Sequence, residues 1–245
     1  MFRQILFTCF MALCIAGLLT GCKDPVSEEK EDEPQIPAGA TALFTDGFED
    51  DLSNWETNYM IYVGDFYPHM RITSDLGHTG TYSVTTDSNR TALVYNIAPR
   101  IETGIAGVQF YIMAEESGNI NFTVELGQNA GSSGGLVNAF GIGFDVRNSI
   151  KSTSKDRNGR VDSLVSAIQP GYWYKCNVEV DFTTKTIHYY IDGAEVNIGT
   201  FPTVEMYGID RLLVFRGEFA GQDDKYMVEE GPKRYFLDNI VLYTK

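Results

Sequence analysis

Glu179-Val180-Asp181 sets two carboxylates two residues apart. On a β-strand that spacing turns both side chains to one face of a sheet. Two carboxyl groups held roughly 5–5.5 Å apart are what retaining glycoside hydrolysis uses. The same residues run directly into Phe182-Thr183-Thr184-Lys185, so the plainer reading is a solvated face ahead of a hairpin turn. A second chemistry is ring stacking. Tyr59, Tyr62, Phe66 and Tyr67 crowd into the stretch 58–68, which glycine and proline punctuate. Exposed rings stack on pyranose faces while neighbouring Asp, Asn and Arg bind hydroxyls; core filling is the alternative in a chain that is 13% aromatic. These four are the candidate ligand-binding residues. His69, His78 and His188 are the only histidines, and none stands at metal-ligand spacing from another His or from a Cys. A lyase base would be a His or Tyr beside an Arg; Arg71 near His69 and Tyr82 after His78 fit that only generically. No residue is assigned a catalytic role.

The elements that must carry these groups are strands. Short alternating runs recur between Gly, Asn, Asp and Ser clusters: Thr81 to Thr85, Gly107 to Ile112, Ile120 to Leu126, Cys176 to Phe182, Thr186 to Ile191, Leu212 to Phe215 and Tyr235 to Tyr243. Polar–apolar alternation sends one face of each strand into a core. Many short strands at this spacing predict an all-β, antiparallel two-sheet sandwich. Gly127 to Gly135 reads as a loop tip and Ser149 to Arg160 as a polar excursion. Trp55 and Trp173 are expected in the core, and Cys176 as a small buried hydrophobe within a strand. Residues 43–245 are long enough for one sizeable domain.

Charge narrows the partners. With 33 acidic against 19 basic residues the formal net charge is −14. That balance argues against nucleic acid and anionic lipid surfaces, and fits a neutral or cationic ligand. At the N-terminus, Arg3 precedes an apolar run from Ile5 to Leu19, which is short for a permanent span of about 20 residues and suits a signal peptide. Leu18-Leu19-Thr20-Gly21-Cys22 resembles the lipobox of bacterial lipoproteins. The resemblance implies removal of residues 1–21, a lipid on Cys22 and a membrane attachment through that anchor. Two or three acyl chains give stable anchoring where one does not. Cys9 and Cys14 then leave with the signal, so Cys176 has no disulfide partner. Lys23 to Glu33 (KDPVSEEKEDE) and the Pro-flanked run to Ala40 predict a self-repelling disordered tether over residues 22–42. Lys23, rather than Asp, follows the cysteine, so the inner-membrane retention signal is lacking, and the acidic cluster after it resembles the export signals of lipoproteins reaching the outer face of the outer membrane. An outer-membrane protein partner is one expectation from that location.

A fold resemblance lies in the segment from Ile168 to Val196. Its Pro170-Gly171-Tyr172-Trp173 turn, the Asp181 that ends the first strand and the Tyr190-Ile191-Asp192-Gly193 that ends the next are similar to concanavalin A-like, laminin-G-like jelly rolls. Asp46 to Trp55 and His78 to Val84 look like the opening of carbohydrate-binding jelly rolls, and Phe236 to Leu242 like their closing strand. The resemblance implies a jelly-roll sandwich. It also implies a structural calcium between Glu49 and Asp238, with Asp46, Asp50 and Asp51 as further oxygen sources, since calcium takes six to eight oxygen ligands. One glycosidase family with this fold carries Glu-x-Asp-x-x-Glu on a strand; here Thr184 stands where the second Glu should be. Three functions follow as expectations: a non-catalytic, surface-anchored lipoprotein that binds a polysaccharide or other glycan; a glycoside hydrolase or polysaccharide lyase on the same scaffold; and a structural or adhesive accessory to another surface protein.

Overall fold

A computed structural model describes residues 34–57, 70–86, 91–116, 122–129, 136–145, 149–152, 162–201, 207–216 and 234–245. The four candidate rings Tyr59, Tyr62, Phe66 and Tyr67, and the lipidation candidate Cys22, lie outside the described residues.

Strands are numbered in chain order. Sheet A runs β12 (Ala194–Thr200), β11 (Thr186–Ile191), β10 (Tyr174–Asp181), β5 (Ile105–Ala114), β14 (Tyr235–Thr244), β3 (Ser83–Thr86) and β2 (Met70–Thr73), and β1 (Thr41–Asp46) also pairs with β14. Sheet B runs β4 (Thr91–Ile101), β13 (Ile209–Arg216), β6 (Phe122–Asn129), β7 (Leu136–Asp145), β8 (Ser149–Ser152) and β9 (Ser163–Val165). Every pairing among them is antiparallel. The all-β, two-sheet sandwich expected from the alternation is the fold, and it is the jelly roll that the resemblance implied.

Alternation explains the core. Val108, Phe110 and Ile112 on β5, Cys176, Val178 and Val180 on β10, and Leu237, Ile240 and Leu242 on β14 belong to one buried cluster with Phe122, Val124 and Leu126 on β6 and Phe140, Ile142 and Phe144 on β7. Burying each such side chain contributes about 1.5–3 kcal/mol relative to exposure. Trp55 is in this cluster, with its indole N–H on Asp46 Oδ2 at 2.8 Å. Cys176 is fully buried, and burial pushes its thiol well above the usual range. The β11–β12 turn fits its sequence: Asp192 and Gly193 both take positive φ, 51° and 80°, as a two-residue type I′ hairpin requires.

Three boundaries differ from the sequence expectation. β1 begins at Thr41, within the stretch assigned to the tether, because Thr41 to Asp46 alternate in exposure and pair with Ile240 to Thr244. Gly127, Gln128 and Asn129 continue β6 rather than opening a loop, held by pairing to Arg211 on one side and to Leu136 and Val137 on the other. Ser149–Ser152 is strand β8, whose Ile150 enters the core.

Candidate functional site

The odd positions of β6 point away from the core that takes Phe122, Val124 and Leu126. Their outer face carries Thr123 and Glu125. Register places them in rows across sheet B: Asn96–Arg211–Gly127, then Val94–Leu213–Glu125–Gly141, then Thr123–Gly143–Lys151–Ser163. The two β7 glycines are required there. A Cβ at Gly141 would press on Glu125, and one at Gly143 on Thr123. Without side chains at these positions, β7 lies flat beside the groups on β6.

This outer face is polar yet buried. Glu125 is 1% exposed, Thr123 4% and Arg211 6%. Arg211 Nε donates to Asn96 Oδ1 at 3.2 Å, and Asn96 Nδ2 donates to Glu56 Oε1. Glu56 forms an isolated bridge with Val94, on the β4 edge of this sheet. A carboxylate and a guanidinium on the outside of a sheet, withdrawn from water, carry a desolvation cost that an apolar pair would not. Sequence reasoning missed this floor. The signal was present in Phe122-Thr123-Val124-Glu125-Leu126 and in Phe140-Gly141-Ile142-Gly143-Phe144, where alternation sends Thr, Glu and two glycines to one outer face.

β1 pairs with β14, which brings Glu49 and Asp238 to one junction around residues 78–82. Asp238 Oδ2 accepts the backbone N–H of His78 at 2.7 Å and of Thr79 at 3.3 Å, while Oδ1 accepts that of Asn239 at 2.7 Å. Glu49 Oε1 accepts from Thr81 and Tyr82 at 3.0 and 3.1 Å. Gly80, at φ 60°, leaves room for that carboxylate. Burial first, opposed by the three N–H donors and reinforced by Glu49, pushes Asp238 up to about 7. Asn239 Oδ1 is buried with no hydrogen-bond partner among the described residues. Two carboxylates and an orphaned amide oxygen are hard donors of the kind calcium takes. Among the described residues no group of three or more His, Cys, Asp or Glu side chains is poised for a metal, so amide and backbone oxygens would have to complete such a shell. Asp46 is turned instead to Trp55 and the Phe48 N–H, and Asp51 to the Ser53 N–H.

The carboxylate pair on β10 separates by role. Glu179 is 7% exposed rather than solvated. Its Oε1 accepts from Tyr243 Oη at 2.7 Å and Lys245 Nζ at 2.6 Å. Burial, then Glu179 and Glu195, raises Tyr190 to about 12, and burial with Glu179 raises Tyr243 as well. Asp181 Oδ1 caps the turn through the N–H groups of Thr183 and Thr184 at 2.7 and 3.2 Å. Trp173 is not a core residue: it is half-buried on the outer face of sheet A, edge-on to His78 and Phe236.

No family model matches the chain, and no curated protein matches it. Solved structures share the fold. An endo-β-1,4-glucuronan lyase from the fungus Trichoderma reesei aligns with TM-score 0.58 and 13% identity over 84% of this chain and 96% of its own. A Bacillus licheniformis β-glucanase aligns with TM-score 0.55 and 12% identity over 86% and 100%. An apo Crh5 transglycosylase aligns with TM-score 0.56 and 11% identity over 84% and 85%. A sialidase aligns with TM-score 0.53 over 84% of this chain, which spans 18% of that protein's length. At these identities the likeness establishes the jelly roll and not the activity.

Proposed function

We propose that this protein binds a polysaccharide on the outer face of sheet B, as a lipoprotein anchored through Cys22 at the outer membrane. The observation that carries the site is the buried polar floor of Thr123, Glu125 and Arg211 against a β7 stripped of side chains by Gly141 and Gly143. A buried carboxylate and guanidinium are weak contributors to stability, and a few placed polar groups are what a ligand surface uses for orientation and specificity. Carbohydrate-active proteins among the structural neighbours support the ligand class. The reading stops at binding, because the glycosidase motif is incomplete: Thr184 stands where its second Glu should be. An acidic tether and an outer-membrane protein partner remain parts of the same proposal.

Structural calcium at the Glu49–Asp238 junction is proposed with it, supported by the unpartnered Asn239 Oδ1. Calcium would neutralise the buried Asp238 carboxylate and tie the two chain ends.

The decisive test is affinity electrophoresis of the full chain through a panel of β-glucans, glucuronans and galacturonans, with reducing-end and unsaturated-product assays on the same polymers. Retention by at least one polymer, weakened about tenfold or more in Glu125→Gln, is the expected result. No retention by any polymer would sink it, and product release that Glu125→Gln abolishes would replace binding by catalysis.

A further inference from the structure

On the outer face of sheet A, opposite to the floor just described, three half-buried rings meet. The His78 ring stacks on Tyr111, with centroids 3.7 Å apart and planes 21° from parallel. Trp173 stands nearly perpendicular to His78, at 5.6 Å and 71°. The result is a corner with an imidazole base and an indole wall. Lys175 Nζ lies 5.8 Å from the centre of the Tyr111 ring. Phe236, 1% exposed, packs behind Trp173.

Asn239 Nδ2 lies 3.5 Å from His78 Nδ1. The Trp173 indole N–H and the Lys175 ammonium have no hydrogen-bond or ion-pair partner among the described residues. Two donors, one of them a cation, stand beside two ring faces. A neutral sugar presents hydroxyls that need acceptors as well as donors. A sugar carrying a carboxylate presents an apolar ring face for stacking and an anion for the donors.

We propose that His78, Trp173 and Lys175 form a second saccharide site, on the face away from the sheet B floor, that takes a hexuronate unit of an acidic polysaccharide. The ring face of the sugar lies in the His78–Trp173 corner, and its carboxylate meets Lys175. The overall negative charge of the chain makes this contact local and short-ranged, so added salt weakens it.

Tryptophan emission reads the site directly, because Trp55, the other tryptophan, is 5% exposed in the core. The full chain is titrated with trigalacturonate and with neutral maltotriose, by emission and by calorimetry. A saturable emission change with trigalacturonate is expected, at least about tenfold weaker with maltotriose and about tenfold weaker in Lys175→Met, as loss of one charge-assisted contact implies. Trp173→Phe removes the emission change and reduces the calorimetric affinity. Lys175→Met touches no core contact, so an unchanged melting temperature confirms that it folds. No emission change at millimolar trigalacturonate, or equal response to maltotriose, would overturn the proposal. So would unaltered calorimetric affinity in Lys175→Met, which would assign the sugar to sheet B.

Discussion

Gly141→Ala is the sharpest probe of the sheet B floor. The added Cβ would sit 2.7 Å from Glu125 Cγ and 2.8 Å from Glu125 Cα, and closer still to the Val124 carbonyl oxygen. Carbon contacts below 3.0 Å force something to shift, and two of these three atoms are backbone in the centre of β6, where neither can swing aside. Overpacking of this kind costs about 1–3 kcal/mol. For a domain of this size each kcal/mol lowers the melting temperature by about 2–4 °C, so calorimetry should show a fall of about 2–12 °C. Affinity electrophoresis should also show weakened retention, since relief of the clash displaces Glu125. Gly199→Ala is the matched control on β12. Its Cβ would meet Tyr189 and Ile187 side-chain carbons at 3.5 and 3.7 Å, ordinary contact, so it should be neutral or stabilise by up to about 1 kcal/mol. The reasoning fails if Gly141→Ala melts with the parent protein and is retained equally, or if Gly199→Ala costs as much.

Other measurements follow from the same geometry. Asp238, held near 7 in the folded chain against 3.8 when unfolded, binds its proton more tightly when folded. In chelator, its contribution to stability should therefore be fully present below about pH 4 and be lost, by about 4 kcal/mol, as pH rises through 7; an Asp238→Asn variant whose thermal melts follow the same pH dependence as the parent would refute it. If calcium sits at the junction, adding it should raise the melting temperature more at pH 8 than at pH 5, and an equal effect at both would remove the site. Tyr243→Phe deprives Glu179 and Asn177 of a buried donor and should cost about 2 kcal/mol in urea titrations, with a coupling above about 0.5 kcal/mol to Lys245→Met in a double-mutant cycle. Gly193→Ala has nothing within 4 Å of its Cβ, so its φ of 80° alone should cost about 1–2 kcal/mol.

The fold was legible because strand alternation is a local property. Phe122-Thr123-Val124-Glu125-Leu126 names its own inner and outer faces, and Asp192-Gly193 names its own turn. The site was not legible because it is assembled from register. Glu125 gains meaning only when β13 sets Arg211 diagonally across from it and β7 presents Gly141 beside it, and the chain separates those residues by up to 86 positions. Glu179 and Asp181 misled for the converse reason. Their spacing is suggestive, but partners from β14 and from the following turn decide what each does. Trp173 follows a turn and precedes an inward Tyr174, so the same parity that buries its neighbour turns it outward.

The amide side chain of Gln109 donates to the backbone carbonyl of Gln35 at 3.0 Å. That bond fastens the incoming chain to the outer face of sheet A, on the strand that also carries Tyr111. Gln109 is 5% exposed, so its amide is withdrawn from water and the carbonyl of Gln35 supplies the acceptor that offsets the loss. The folded unit therefore reaches back ahead of β1: a chain that began after Gln35 would keep every strand and yet leave a buried donor on β5 without this acceptor.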